Sequence, residues 1–148
     1  MDWTSEIQTA STVVEAWIRR VGTEGWPLSC GSAWTNKDLL GHLAAWSDLL
    51  VDQVEALKEE RPDTIEAVNV DAWNAEQVSQ RRSRTAAETV DDWRRSVRRA
   101  IDVVGHLPPD VWARRWQVVW SKEPVSIDEL LRLWLVHLEQ HRSRLTGA

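Results

Sequence analysis

Two histidines, His137 and His141, stand four residues apart in LLRLWLVHLEQHRSRL, the stretch from Leu130 to Leu145. On an α-helix, residues i and i+4 lie one above the other on one face, so both imidazoles reach a single point in space. A metal ion needs such a point. Ile127, Leu130, Trp134, His137, His141 and Leu145 recur at intervals of three and four, which places both histidines on the core-facing stripe. A third histidine, His42, lies beside another apolar helical stripe, between Leu39 and Trp46. Three neutral imidazoles without a fourth obvious protein ligand match open catalytic metal sites better than closed structural ones. At such a site water becomes a nucleophile near neutral pH, or a thiol becomes a thiolate for group transfer. Imidazole suits zinc, nickel, iron and copper, so the donor set leaves the metal open. The plainer alternative is three hydrogen-bonded core histidines; the metal-ligand spacing of the pair argues against it.

Other side chains are candidates for supporting roles. Asp38, four residues before His42, and Asp71 with Asn74 on one side of a short helix, are candidates to orient the imidazoles from behind, against the commoner use of each as a cap or a solvated side chain. Trp46 and Trp134 flank the histidines at helical spacing and either wall a substrate pocket or pack the core. His106, next to Leu107 and two prolines, is assigned to the carbonyls of a helix end rather than to the metal. Cys30 has little support as a nucleophile. The chain has no glycine-rich phosphate loop, nucleophile elbow or paired zinc cysteines.

The elements that must position these residues are amphipathic helices. The first is expected from about Thr4 or Ser5 to Val21, with Ser5 and Gln8 at capping-box spacing. Gly22, Gly25 and Pro27 break it, and a loop through Ser29, Cys30, Gly31 and Ser32 leads to Trp34. Thr35 and Asp38 then cap a second helix running to about Glu60. About twenty-five residues follow before Thr85 and Glu88 open a third long helix that ends at Gly105; Val70 to Gln80 within that connection reads as a short helix. Pro109 opens one further turn through Trp112, and WQVVW between Arg115 and Lys122 reads as extended, across an end of the bundle. The last helix opens at Ser126 with Glu129 and frays at Gly147.

Four long helices of this kind predict an all-α four-helix bundle. At roughly 1.5 Å per residue, His42 lies about 10 Å into the second helix and the His137–His141 pair roughly 8 to 15 Å from the end of the last. The three meet at one level only if those helices are antiparallel. That requires an up-down-down-up bundle, with the long connection between helices two and three crossing its length.

Composition bounds what such a bundle does. The 148 residues suit a single domain, 1–148, able to bury a core without disulfide or metal. A net charge of −5 disfavours a nucleic-acid binder, and Asp91 and Asp92 among the arginines at 81 to 99 make that cluster a solvated face. One cysteine and the lack of a signal or spanning segment point to a soluble, reducing, cytoplasmic setting with no membrane partner.

WTNKDLLGHLAAW at 34 to 46, VDAWNAEQ from Val70, and WLVHLEQHRSRL near the end resemble, in order and spacing, the DinB-like superfamily of bacterial metalloenzymes. The resemblance implies an up-down-down-up four-helix bundle, commonly a homodimer. It also implies a metal on one histidine of helix two and two of helix four, here His42, His137 and His141. The better understood members are thiol-dependent isomerases and S-transferases that use mycothiol or bacillithiol; the linker is most similar to the branch of the colibactin self-protection protein. The resemblance therefore implies a divalent metal, zinc or nickel before iron, a low-molecular-weight thiol, and a small-molecule substrate handled by a transferase or hydrolase. The alternative is a binding or resistance protein that holds a small toxic molecule without metal catalysis.

Overall fold

The computed structural model describes residues 1–31, 33–62 and 69–146; Ser32 of the first loop and the expected fraying at Gly147 lie outside them. Seven helices are present among these residues: α1 Trp3–Val21, α2 Asn36–Lys58, α3 Val70–Arg81, α4 Ala86–Gly105, α5 Pro109–Trp112, α6 Ile127–Gln140 and α7 Arg142–Thr146. Among them no helix is long and apolar enough to cross a membrane.

Local chemistry explains most of the boundaries. Thr35 with Asp38, Thr85 with Glu88, and Ser126 with Glu129 each form a reciprocal capping box, which satisfies amide groups that a first turn leaves without partners. The first helix departs from expectation. Its cap is Asp2, whose carboxylate accepts the Ser5 amide at 3.2 Å and the Thr4 and Ser5 hydroxyls at 2.8 Å each, so Ser5 stands inside the helix and makes no box with Gln8. An ionised carboxylate accepting three donors outcompetes a hydroxyl that accepts one. The last helix also differs, because it stops at Gln140 and resumes at Arg142. At the break the His141 amide turns to Leu138 O at 3.0 Å, a tighter turn than the α-helix makes.

Contacts between helices fix the topology. Thr4 lies against Gly105 and Arg94 binds Glu15, so α1 and α4 are antiparallel. Gly41 lies near Thr89 while Arg99 binds Asp52 and Glu55, so α2 and α4 are parallel. Trp134 donates to Ser47 and His137 meets His42, so α6 is antiparallel to α2. Trp3 reaches Asp128 at one end of α1 and Arg20 the Leu145 carbonyl at the other, so the final helices follow α1. The bundle is up-down-down-up, as the convergence of histidines requires.

The crossover returns along α2. Asn74 meets Trp46, Arg81 lies on Gly41, and Lys37 Nζ donates to the Arg82 and Arg84 carbonyls at 2.9 and 2.6 Å. Gly41 lets this happen: a Cβ there would stand 3.2 Å from Arg81 Cδ. At the other end of the bundle, Trp116 and Val125 exchange both backbone hydrogen bonds at 2.8 Å, so WQVVW is extended at its start and turns at Val119 and Trp120. Between the helices a cluster of apolar side chains is buried, with Trp93 wholly enclosed.

Candidate metal centre

His42 falls in the second turn of α2, on the stripe of Leu39 and Leu43, and is 2% exposed. His137 stands in the last turn of α6, and His141 at the break that follows. Their Nε2 atoms converge: His42 to His137 is 2.9 Å, His137 to His141 is 3.3 Å, and all three ligand atoms lie within 4.8 Å of one another. Two nitrogens each about 2.05 Å from a common zinc-like ion stand about 3.3 Å apart in a tetrahedron. The spacing fits a shared ion after small ring movements.

The electrostatics suit a ligand role. Burial pushes His42 down to about 3, with His137, His141 and Arg144 adding repulsion. Burial likewise brings His137 to about 4, with His141 contributing, and lowers His141, with Arg144 contributing. At neutral pH the rings are uncharged and carry the lone pair that a metal takes. Among the described residues no carboxylate belongs to the cluster, so a divalent ion held by three neutral nitrogens alone would keep its whole charge and favour an anionic fourth partner.

What orients the rings is aromatic surface. Trp34 packs against His42 with centroids 4.7 Å apart and the ring planes tilted by 49°, and Trp46 lies 5.2 Å from His137. His42 Nδ1 is buried without a hydrogen-bond partner among the described residues. Of its two expected uses Asp38 takes the helix cap and not the support of His42: its carboxylate accepts the Thr35 amide at 3.1 Å and faces Arg82 at 3.9 Å. Its commitment to the helix cap turns it away. Asn74 accepts Trp46 Nε1 at 2.8 Å and so steadies the indole rather than an imidazole. Asp71, on the same short helix, is exposed and lines neither cleft described below. His106 lies at the C-cap of α4 with Nδ1 2.7 Å from the Asp102 carbonyl, outside the cluster. Cys30 is half-buried in the first loop, where its amide donates to Trp34 O at 3.1 Å.

The cluster opens into a cleft with two arms. A polar arm of about 410 Å³ is lined by Trp34, Asn74, His42, His141 and Arg144. An apolar arm of about 440 Å³ runs from His137 past Trp46, Trp134 and Leu133 to Trp120. His137, Trp46, Val70 and Gln140 line both, so the arms meet at the imidazoles. Trp46 and Trp134 thus serve the cleft wall and the packing together: Trp134 is 5% exposed and donates to Ser47 Oγ at 2.9 Å.

Several of these residues escaped the sequence reading. Arg144 pairs with no carboxylate among the described residues and stands at the mouth of the polar arm, seven residues after His137 and three after His141. Helical periodicity alone would have found it. Trp34 and Trp120 come from loops, and no periodicity points to them.

A family model described as the DinB superfamily matches residues 6–145. Among solved structures, the crystal structure of the mycothiol-dependent maleylpyruvate isomerase is similar, with a TM-score of 0.74 and 14% sequence identity. The similarity covers 98% of this chain but 61% of that one, so this chain spans less than two thirds of the isomerase. At that identity the likeness concerns the fold. No curated protein matches the sequence.

Proposed function

We propose, from the fact that this chain belongs to the DinB superfamily, that it is a metal-dependent enzyme acting on a small molecule, with His42, His137 and His141 as ligands. The observation that carries this reading is the convergence of three uncharged imidazole Nε2 atoms at the head of an open cleft. A divalent metal of the zinc or nickel type would supply Lewis acidity and lower the pKa of a thiol or water that reaches it. The chain's own residues supply the rest. Trp34 and Trp46 hold two of the rings and exclude water from their faces. Arg144 offers an unpaired cation for a carboxylate or other anionic end of a bound molecule.

Of the two chemistries that fit, thiol transfer is favoured over hydrolysis by the two arms, because a bimolecular transfer needs room for two organic reactants beside the metal. The polar arm with Arg144 suits a low-molecular-weight thiol carrying an anionic group, such as mycothiol or bacillithiol. The test is elemental analysis of purified protein, followed by a screen of thiols against small electrophiles. One equivalent of metal, with turnover that depends on both metal and thiol, is expected. Turnover that survives complete metal removal would count against the reading. The competing role, sequestration of a small toxic molecule, predicts stoichiometric binding without product.

A further inference from the structure

We infer that the apolar arm is the seat of an uncharged aromatic or alkyl body of a small molecule, whose polar, reacting end lies at His137. Two observations point there. Seven large apolar side chains are exposed among the described residues, and four of them, Val70, Trp120, Leu133 and Val136, line this one arm. Such side chains scattered singly need no explanation; gathered around a concavity they mark a binding site. The volume of about 440 Å³ lies in the range of small-molecule pockets.

The lining also selects the ligand. Among the described residues its polar members are His137, Gln53 and Gln140, with no carboxylate, lysine or arginine, so a charged body would lose its hydration without gaining a partner there. The indoles of Trp46, Trp120 and Trp134 offer flat apolar surface, and the Asn74 bond holds Trp46 in place. A small molecule suits the arm better than a protein segment because the arm ends on His137, which a seated helix would cover. The same residue makes the arm continuous with the imidazole cluster, so a molecule lying in it presents one end to the cluster. Assigning the reacting end to His137 rests on the reading under Proposed function; the apolar arm as a binding site does not.

The probe is 2-naphthol, neutral at pH 7, titrated by calorimetry into metal-free and metal-loaded protein. Wild-type protein is expected to bind one equivalent in both forms. Leu133→Asp places a carboxylate on the wall at a residue 56% exposed, so the fold is not at risk. It should weaken binding about tenfold, through lost apolar contact and a desolvated charge. Val136→Asp should act alike, whereas Val119→Asp, 70% exposed and outside the arm, should not. Equal affinity in wild type and both wall variants would overturn the inference. So would a wild-type dimer, seen by sedimentation, that Leu133→Asp dissociates, because the face would then join two copies of the chain. Metal content measured on the same samples separates the two readings. Naphthol binding without any metal uptake sinks the metal enzyme and leaves the arm, and metal uptake without naphthol binding does the reverse.

Discussion

The two ends of the bundle treat polar groups in opposite ways. Where α2 finishes and α6 begins, every polar side chain that matters has a partner. Trp116 Nε1 donates to Glu60 at 3.1 Å, Arg114 binds Glu60 and Asp110, and Arg115 reaches the Pro124 carbonyl and Glu129 at 2.6 and 2.8 Å. At the other end three imidazoles face one another, and among the described residues His42 Nδ1 is buried without a partner and Arg144 has no carboxylate. Satisfied polar groups close a fold, whereas unsatisfied ones gathered at a cleft are free to take a ligand. The difference leaves one end closed by its own partners and the other with groups able to take a ligand.

The contrast breaks most visibly at Trp116, which is 6% exposed. Trp116→Ala should cost about 3 to 5 kcal/mol through the cavity it leaves, while metal content stays at the wild-type value. Denaturant unfolding and elemental analysis of one preparation measure both, and a loss of metal would show that the ends are not separable. His137→Ala should do the converse: metal affinity falls by more than about a hundredfold, beyond what losing even an orienting contact costs, while the metal-free protein stays folded. Unchanged metal content in that variant would sink the three-histidine centre.

Acid sharpens the same contrast. His42 and His137 are lowered to about 3 and about 4 in the folded chain, whereas an unfolded histidine titrates near about 6.5. Between these values the unfolded chain binds more protons, so their contribution to stability is complete above about 6.5 and is lost as pH falls through the folded values. Metal-free wild type should therefore lose stability from pH 6.5 to pH 5, and His42→Leu should lose less over that interval. A steeper slope in the variant would contradict the assignment. The smallest effect is expected at Arg144. Because its side chain is exposed, Arg144→Gln should weaken binding of an anionic thiol by roughly three- to fivefold, the range of a solvent-screened charge. The slope against salt should flatten as well.

The sequence was most legible where the controlling physics is local. Three capping boxes and the i, i+4 histidines depend on residues within one or two turns, and each is formed. The topology was legible only indirectly, since demanding that His42 meet the pair forced α2 and α6 to be antiparallel. The break at His141 carries no glycine or proline to announce it. Asp38 had two readings in the sequence, cap and support for His42, and the capping box, nearer in sequence, took it. Trp34 and Trp120 reach the cleft from loops, whose paths follow from tertiary packing alone.

The two helices that share the imidazoles are far apart along the chain: His42 and His137 are separated by 95 residues. Helical turns and neighbouring helix pairs form early in folding, but contacts across so long a loop wait for the entropy of closure to be overcome. The cluster is thus expected to form late. In a stopped-flow refolding experiment, recovery of helical signal should precede recovery of the imidazole cluster, and, if the cluster holds metal as proposed, excess metal should trap the chains in which α6 has just docked. The centre would then act as a timer on the last step of folding, reporting completion of the bundle rather than collapse.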